Sequence, residues 1–359
     1  MMNTLDRYLF SQFFRNLILV LLAIIMIYLL VDFFEKIDNF IKAGKTAGMT
    51  LRYLLMKIPQ ITQQIMPVCL LLAAVITLGI LNHNRELMAL LAGGISMRRV
   101  IRPLLTATAC LILLGLAVDQ WILPSTIGTT NKIWYEEVKK TQSHGIRRND
   151  MIYYRGRTGV YSFRHANQEL NIFVDFNYLA WDHEYRLTRL LHANEAHFQD
   201  GAWICFDGTD KTPGNDGLYR TKAFTEMTVT LPDDPVAFFI PKYKSNELSI
   251  SQLIDDLRHD PLNRDTNLRI LHGRLSYILL GFPLVLLGLP ILLLINRKWG
   301  HDLSLAVPVS CIMAFGVWGL WNVGQTMIPA YHLSPALVSW SIHFVTATLG
   351  IMLLHRQQN

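Results

Sequence analysis

"LILVLLAIIMIYLLVDFF", residues 17–34, carries one charge, Asp32, and no turn signal. A helix needs about 20 such residues to cross a hydrocarbon core of about 30 Å. The stretch therefore predicts a membrane span. Working outward, a second clear run is LSYILLGFPLVLLGLPILLLI at 275–295, and weaker ones lie near 61–81, 104–123, 303–327 and 337–354. Pro67, Pro283, Pro290, Gly316 and Gly319 interrupt them, which membrane helices tolerate better than soluble ones do. The first run is too long and too far from the N-terminus for a cleaved leader, and no small-residue cleavage site precedes Asp32 and Glu35. It is read as a retained helix.

Composition agrees. The chain has 359 residues, of which 51% are hydrophobic and 17% charged, and its mean hydropathy is +0.27. An ordinary soluble protein of this size is less apolar. Between the third and fourth runs lie residues 124–271, different in character: a helical extension, TTNKIWYEEVKKTQ, then short β-rich runs. These are MIYYRGRTGVYSF, LNIFVDFNYLAW, YRLTRLLHANEAHF, DGAWICF and TEMTVTL, punctuated by Asp-Gly at 200–201 and 207–208 and by TPGNDG. The expected architecture is an α-helical integral membrane protein with six transmembrane helices, three plus three. A β-rich sandwich or open roll is inserted between helices 3 and 4. The expected domains are 1–123, 124–271 and 272–359.

Short-loop charge sets the orientation. With the N-terminus inside, the inner segments hold Arg7, Arg15, Arg85, Arg98, Arg99, Arg102, Arg297, Lys298 and Arg356 against Asp6, Glu86 and Asp302. The first outer loop, EKIDNFIKAGKTAGMTLRYLLMK, opposes the bias with Lys36, Lys42, Lys45, Arg52 and Lys57. The net charge of +6 follows largely from the same bias, and also suits an anionic lipid surface.

Chemistry is sparse. AGKT at 43–46 resembles the tail of a phosphate-binding loop, but Asn39 stands where the first glycine is required and no strand precedes it. His192, Glu195 and His197 match neither zinc spacing, and strand alternation turns His192 away from the other two. A solvated strand face is the better reading. Asp32 and Asp119 are read as interfacial carboxylates rather than proton relays. Cys69, Cys110 and Cys311 lie in predicted spans and Cys205 is alone in the outer domain, so all four are read as buried apolar residues.

NHNRELMALLAGGISMRRV, residues 82–100, is too polar to span. Asn82 or Asn84 can cap a short helix over about 84–94, Glu86 charges its first turn, Gly93 and Gly94 end it, and Ser96 caps the next. Leu87, Leu90 and Leu91 then form one apolar stripe. Either the stripe lies on the membrane, or it enters a groove on a cytoplasmic motor subunit and couples the two.

LDRYLFSQFFRNL at 5–17, PVCLLLAAVITLGILNHNRELMALLAGGIS at 67–96 and LHGRLSYILLGFPLVLLGLP at 271–290 resemble the lipopolysaccharide export permease family, LptF and LptG, over essentially the whole chain. The LDRY start is more similar to the LptG branch. The resemblance implies a permease of an ABC transporter that lifts lipopolysaccharide from the inner membrane of a bacterium. It implies no catalytic site and no cofactor in this chain, ATP and Mg being bound by an LptB-like ATPase dimer.

The further implied partners are an LptF-like permease, an LptC-like single-helix protein and an LptA-like periplasmic bridge; nucleic acid is not among them. The two permeases would enclose a cavity opening between first and fifth helices, both termini would be cytoplasmic, and a jellyroll-like periplasmic domain would receive the lipid. By the same likeness Glu86 falls on the coupling-helix glutamate, with Arg85 beside it and Leu87, Leu90 and Leu91 on its contact face. Lys42 falls on a cation that holds lipid A phosphates. Glu35 stands where some members carry Lys, so Lys36 or Lys45 would substitute. For these lysines a snorkelling interfacial cation is the competing reading. Two other classes remain open: a membrane enzyme with an outer catalytic domain, and a lipid-binding sensor or scaffold.

Overall fold

A computed structural model describes residues 4–139, 145–148, 151–156, 158–167, 172–182, 186–199, 202–214, 218–233, 247–259, 264–299 and 303–356. They form two compact units, one of residues 1–134, 247–258 and 263–359, the other of residues 135–246 and 259–262. The expected boundaries at 123/124 and 271/272 therefore move, because residues 124–134 and 247–258 pack with the helices.

Among the described residues the helical unit contains six helical stretches long and apolar enough to cross a membrane. α1 (Thr4–Lys42) and α2 (Ala47–His83) far exceed the expected runs. At 1.5 Å per residue, the 39 residues of α1 extend roughly 58 Å, nearly twice a bilayer core. The long basic outer loop therefore shrinks to residues 43–46. There Gly44, at φ 67°, ends α1 in a left-handed turn, its N–H bonded to Ile41 O and that of Lys45 to Phe40 O. Thr46 caps α2 by accepting from Met49 N–H. The AGKT stretch is thus a helix stop followed by a helix start.

α3 (Glu86–Ala92) leads into α4 (Met97–Trp121), and α5 (Leu123–Asn131) continues as a wider π-helical turn over Lys132–Val138. After the sheet come α6 (Ile250–His259), α7 (Arg264–Leu279), α8 (Gly281–Trp299), α9 (Leu303–Tyr331) and α10 (Pro335–Arg356). The fourth span is broken between α7 and α8. Pro283 has no N–H and its ring crowds the carbonyl four residues back, that of Leu279, so the ladder cannot run through. The N–H of Leu280 bonds instead to Tyr277 O at 3.2 Å.

α8 is the centre of this unit, packed against α2, α4, α9 and α10. Its Leu284, Val285, Leu289 and Leu292 join Leu70, Leu71, Ala74, Leu78 and Leu104 in one buried cluster. The backbones meet closely at glycines. A Cβ on Gly288 would lie 2.2 Å from Leu71 Cδ1, and one on Gly350 2.8 Å from Leu286 O. Small residues at crossings are how membrane helices gain packing where lipid offers no hydrophobic drive. α1, α9 and α10 are by contrast exposed along much of their length, for example at Leu19, Met26, Phe34, Ile312, Phe315, Leu337 and Phe344. Cys110 is exposed too, which corrects its reading as a buried residue.

The second unit is one antiparallel sheet of eight strands among the described residues. In order these are β1 (Gly145–Arg148), β2 (Met151–Arg155), β3 (Gly159–Phe163), β4 (His165–Asn167), β5 (Ile172–Trp181), β6 (Leu187–Gln199), β7 (Ala202–Pro213) and β8 (Tyr219–Val229). Along the sheet the order is β1-β2-β3-β5-β6-β7-β8, each strand antiparallel to its neighbour, and β4 lies off this path, paired with β5. The β-rich insertion between third and fourth spans is borne out.

Tyr161, Phe163, Phe173, Phe176 and Trp203 are fully buried on one face, Trp203 stacking on Phe176 with ring centroids 4.7 Å apart. The buried alternation slips by one residue between Phe173 and Phe176 and, opposite, between Ala193 and Ala196. Asp175 (φ 54°) and Asp207 (φ 49°) flank this row. The slip is in phase across both strands, so the apolar face stays continuous. Asp207-Gly208, expected as a turn, lies inside β7 at this kink. A Cβ on Gly208 would sit 2.0 Å from His192 O, so glycine is needed there. Residues 200–201 fall outside the described residues, although β6 ends and β7 begins on either side of them.

Cys205 is fully buried in this face, and burial pushes its thiol up to about 11. It is expected to resist maleimide at pH 7.5 in the folded protein and to react on unfolding in urea. Stoichiometric labelling without denaturant would contradict the sheet packing.

Candidate functional site

Two polar clusters stand out in the helical unit, one at each end of α1. The first surrounds α3. α2 runs through His83, so Asn82 is a buried residue inside that helix and not the N-cap of α3. The position before α3 is Arg85, in the left-handed region at φ 61° with no side-chain cap bond. Asn84 points its amide at Glu86 Oε1 instead, at 3.2 Å. Ser96 does precede α4 but makes no capping bond. The C-terminal expectation holds: Gly94 at φ 83° gives its N–H to Leu91 O, and Ile95 gives its own to Leu90 O.

The helix is seven residues, shorter than the expected 84–94. Its stripe is split. Leu87 is 2% exposed and joins the core of its own chain, and Leu90 packs against that core. Leu87 is thereby withdrawn from the outer contact face. Met88 and Leu91, at 55% and 40%, are the large apolar residues α3 offers outward.

Glu86 is anchored rather than loose. Its Oε2 accepts from the Tyr8 hydroxyl at 2.7 Å, and Gln12 Nε2 donates to Tyr8 Oη at 2.7 Å. One turn into α4, the two terminal nitrogens of Arg99 each lie 2.8 Å from a different oxygen of Asp6. The α3 hairpin is thus fastened twice to the first turns of α1. Tyr8 and Glu86 are 78 positions apart, and Asp6 and Arg99 are 93. No local periodicity signals such pairs.

The second cluster lies towards the other end of α1. Asp32 is buried, and Lys36 Nζ reaches its Oδ1 at 2.5 Å and the Tyr53 hydroxyl at 2.9 Å. Lys57 of α2 pairs with the same Asp32 oxygen. Rings close around the two cations. Lys36 Nζ lies 5.3 Å from the Tyr53 centroid and 5.1 Å from Trp134, and Lys57 Nζ lies 5.8 Å from Tyr28 and 5.6 Å from Tyr53. Asp32 is therefore no snorkelling interfacial carboxylate but the counter-ion of two lysines. Lys36 is turned inward by it. Lys42 is exposed and Lys45 half-buried, near the turn at 43–46.

Asp119 is likewise buried. Gln63 donates to it at 2.9 Å, and Arg274, which bonds the Leu248 carbonyl, faces it electrostatically. In the sheet, His192 Nδ1 meets Asn177 Oδ1 at 2.8 Å while His197 Nε2 meets Glu195 Oε1 at 2.5 Å. The slip in alternation leaves all three off the buried face, so His192 does not turn away as strict alternation predicts. They form two separate pairs, and among the described residues no three His, Cys, Asp or Glu are grouped to hold a metal.

Comparison with known proteins adds an independent finding. Residues 7–356 match the family model described as "Lipopolysaccharide export system permease LptF/LptG". The chain is similar to the lipopolysaccharide export system permease protein LptG of Escherichia coli K12, 29% identical over 128 residues. That match covers 34% of each chain, about a third of the relative's length. It is also similar to the protein of the same name from Haemophilus influenzae Rd, 21% identical over 345 residues, which cover 91% of this chain and 92% of the relative.

Proposed function

Because this chain belongs to the lipopolysaccharide export permease family LptF/LptG, we propose that it is the LptG-type membrane subunit of an ABC transporter that extracts lipopolysaccharide from the inner membrane. In this reading both termini are cytoplasmic, the sheet unit is periplasmic, and the chain is not an enzyme. ATP and Mg are bound by an LptB-like dimer. A second, LptF-like permease closes the cavity, and an LptC-like single-helix protein with an LptA-like bridge carries the lipid onward.

The observation that carries the reading is α3, a short helix held between two spans with Glu86 fixed at its start and Met88 and Leu91 bare beside it. A membrane enzyme or a passive scaffold needs no such element; a subunit driven from outside does. Arg85 lies next to Glu86, exposed, and belongs to the same docking face. Leu90 supports that face from beneath.

No bond is made or broken in this chain. Each methylene of the substrate left bare to water costs about 0.8 kcal/mol, so an extracted multi-acyl lipid must stay covered. The exposed apolar faces of α1 and α9 provide one wall of that cover, the partner permease the other. Lys42, exposed near the end of α1, is the cation best placed for a lipid A phosphate, with Lys45 close by. Lys36 serves by holding the helix ends in place with Asp32.

The reading is tested by extracting the chain from native membranes in a mild detergent and weighing the intact complex. An assembly with two copies of a soluble ATPase and a second six-span chain is expected. Recovery of this chain alone, under conditions that preserve other membrane complexes, would count against it.

A further inference from the structure

We propose that the helical unit carries a binding site for an anionic diacyl phospholipid in a groove between the start of α4 and the end of α10. The groove has a volume of about 340 Å³ and is lined by Arg98, Ile101, Arg102, Leu105, Ile351, Leu354 and His355. A shallower extension along α10 adds Met352 and Arg356. α4 and α10 both pack on α8, which holds them apart as the walls of a cleft.

The arginines of the MRRVIR segment divide their work. Arg99 is committed to Asp6. Arg98 and Arg102 are exposed, one helical turn apart on the groove side, and among the described residues neither makes a hydrogen bond or ion pair. Two exposed guanidinium groups one turn apart suit a shared anion, whose oxygens they can hold in forked hydrogen bonds, and no carboxylate lines the groove. Opposite them stands His355, with Arg356 beyond it.

Below the charges the lining turns apolar. Arg98 to Leu105 descends about 10 Å of helix, with Ile101 and Leu105 facing Ile351 and Leu354. A positive rim over an aliphatic floor matches a phosphate headgroup with the first methylenes of its acyl chains. Basic pockets between membrane helices at the positive side recognise anionic headgroups in this way. A free phosphate has no use for the floor, and a neutral lipid has no use for the rim. The site lies at the end of the chain that carries Tyr8 and Glu86, so its occupant belongs to the leaflet that end faces, not to the cargo cavity.

The test uses the full chain with any partners it retains, in a nonionic detergent, titrated with dioleoyl phosphatidylglycerol and followed by native mass spectrometry. The wild type is expected to hold at least one phosphatidylglycerol that dioleoyl phosphatidylcholine does not replace. Each of Arg98→Gln and Arg102→Gln should weaken it about fivefold, and the pair about twentyfold. Ile351→Trp, which fills the floor with the arginines intact, should displace the lipid as well and decides the matter if the double variant does not fold.

The proposal is overturned by unchanged retention in the folded variants, by equal retention of phosphatidylcholine, or by displacement by millimolar inorganic phosphate. Loss of a bound protein subunit in the arginine variants with phosphatidylglycerol retention unaltered would also overturn it, assigning the arginines to that subunit. ATP is absent throughout, so the result is independent of whether the chain moves lipopolysaccharide.

Discussion

Asp32→Ala is expected to destabilise the helical unit by about 3–5 kcal/mol, the usual effect of removing one partner from a buried ion pair. The reason is geometric. A single carboxylate with 6% side-chain exposure is paired with both Lys36 and Lys57, themselves 16% and 14% exposed. Without it two ammonium groups face one another inside a ring of Tyr28, Tyr53 and Trp134. The rings attract a cation but cannot offset mutual repulsion between two.

Fluorescence-detected size exclusion after heating should place the midpoint of the variant several degrees lower. The double variant Asp32→Ala/Lys57→Met should regain much of the loss, since one lysine can keep its aromatic contacts and the Tyr53 hydroxyl. Additive losses in the double variant, or an Asp32→Ala protein as stable as the wild type, would refute the account.

Glu86→Ala is expected to reduce lipopolysaccharide release from proteoliposomes about tenfold or more while the partner ATPase still turns over. Removing one member of a well-placed charge contact at an interface commonly costs 2–5 kcal/mol, and each 1.4 kcal/mol is a factor of ten. Tyr8→Phe separates the two roles Glu86 has here. It leaves the carboxylate in place for a partner but cuts its bond to α1. A smaller loss of release, with ATPase binding unchanged, is expected if motion passes from α3 into α1 through this bond. Wild-type release in both variants would remove α3 from the mechanism.

How much of this was legible in the sequence depends on how local each cause is. The six spans, the inserted sheet and the glycine stop of α3 were legible, because span length, strand propensity and left-handed glycine act within a few residues. The length of α1 and α2 beyond the spans was not: residues 35–57 are polar enough to read as a loop. What keeps them helical is the Asp32–Lys57 pair between the two helices and the packing of Phe40 on Tyr53 and Trp134.

The split of the α3 stripe was hidden for a related reason. The i, i+3, i+4 spacing identifies an apolar face without saying that Leu87 would be taken up by the chain's own core. The strand phase of His192 was misjudged because a slip of one residue at Asp175 and Asp207 reverses the faces, and neither aspartate announces a positive φ within a strand. The family resemblance brought out Glu86 but not Tyr8, which becomes notable only once the ends of α1 and α3 meet.

α2 and α8 are locked where Leu71 fills the space above Gly288, and α8 and α10 where Gly350 rests on the backbone of Leu286. Sliding any of these helices would reopen contacts along its whole length, so the three behave as a door frame. α1 and α9 hang at its sides with bare aliphatic faces, for which acyl chains and a neighbouring protein are nearly equivalent solvents. Their outward faces resist neither occupant, although α1 stays hinged to α2 by the Asp32–Lys57 pair. Only one of these two doors has a handle: α1, through Tyr8 and Asp6, is gripped by the hairpin that carries Glu86, and α9 has no such grip among the described residues. With α3 as the docking element proposed above, a pull on it is expected to move a single leaf, so that the two sides of the bundle need not open together.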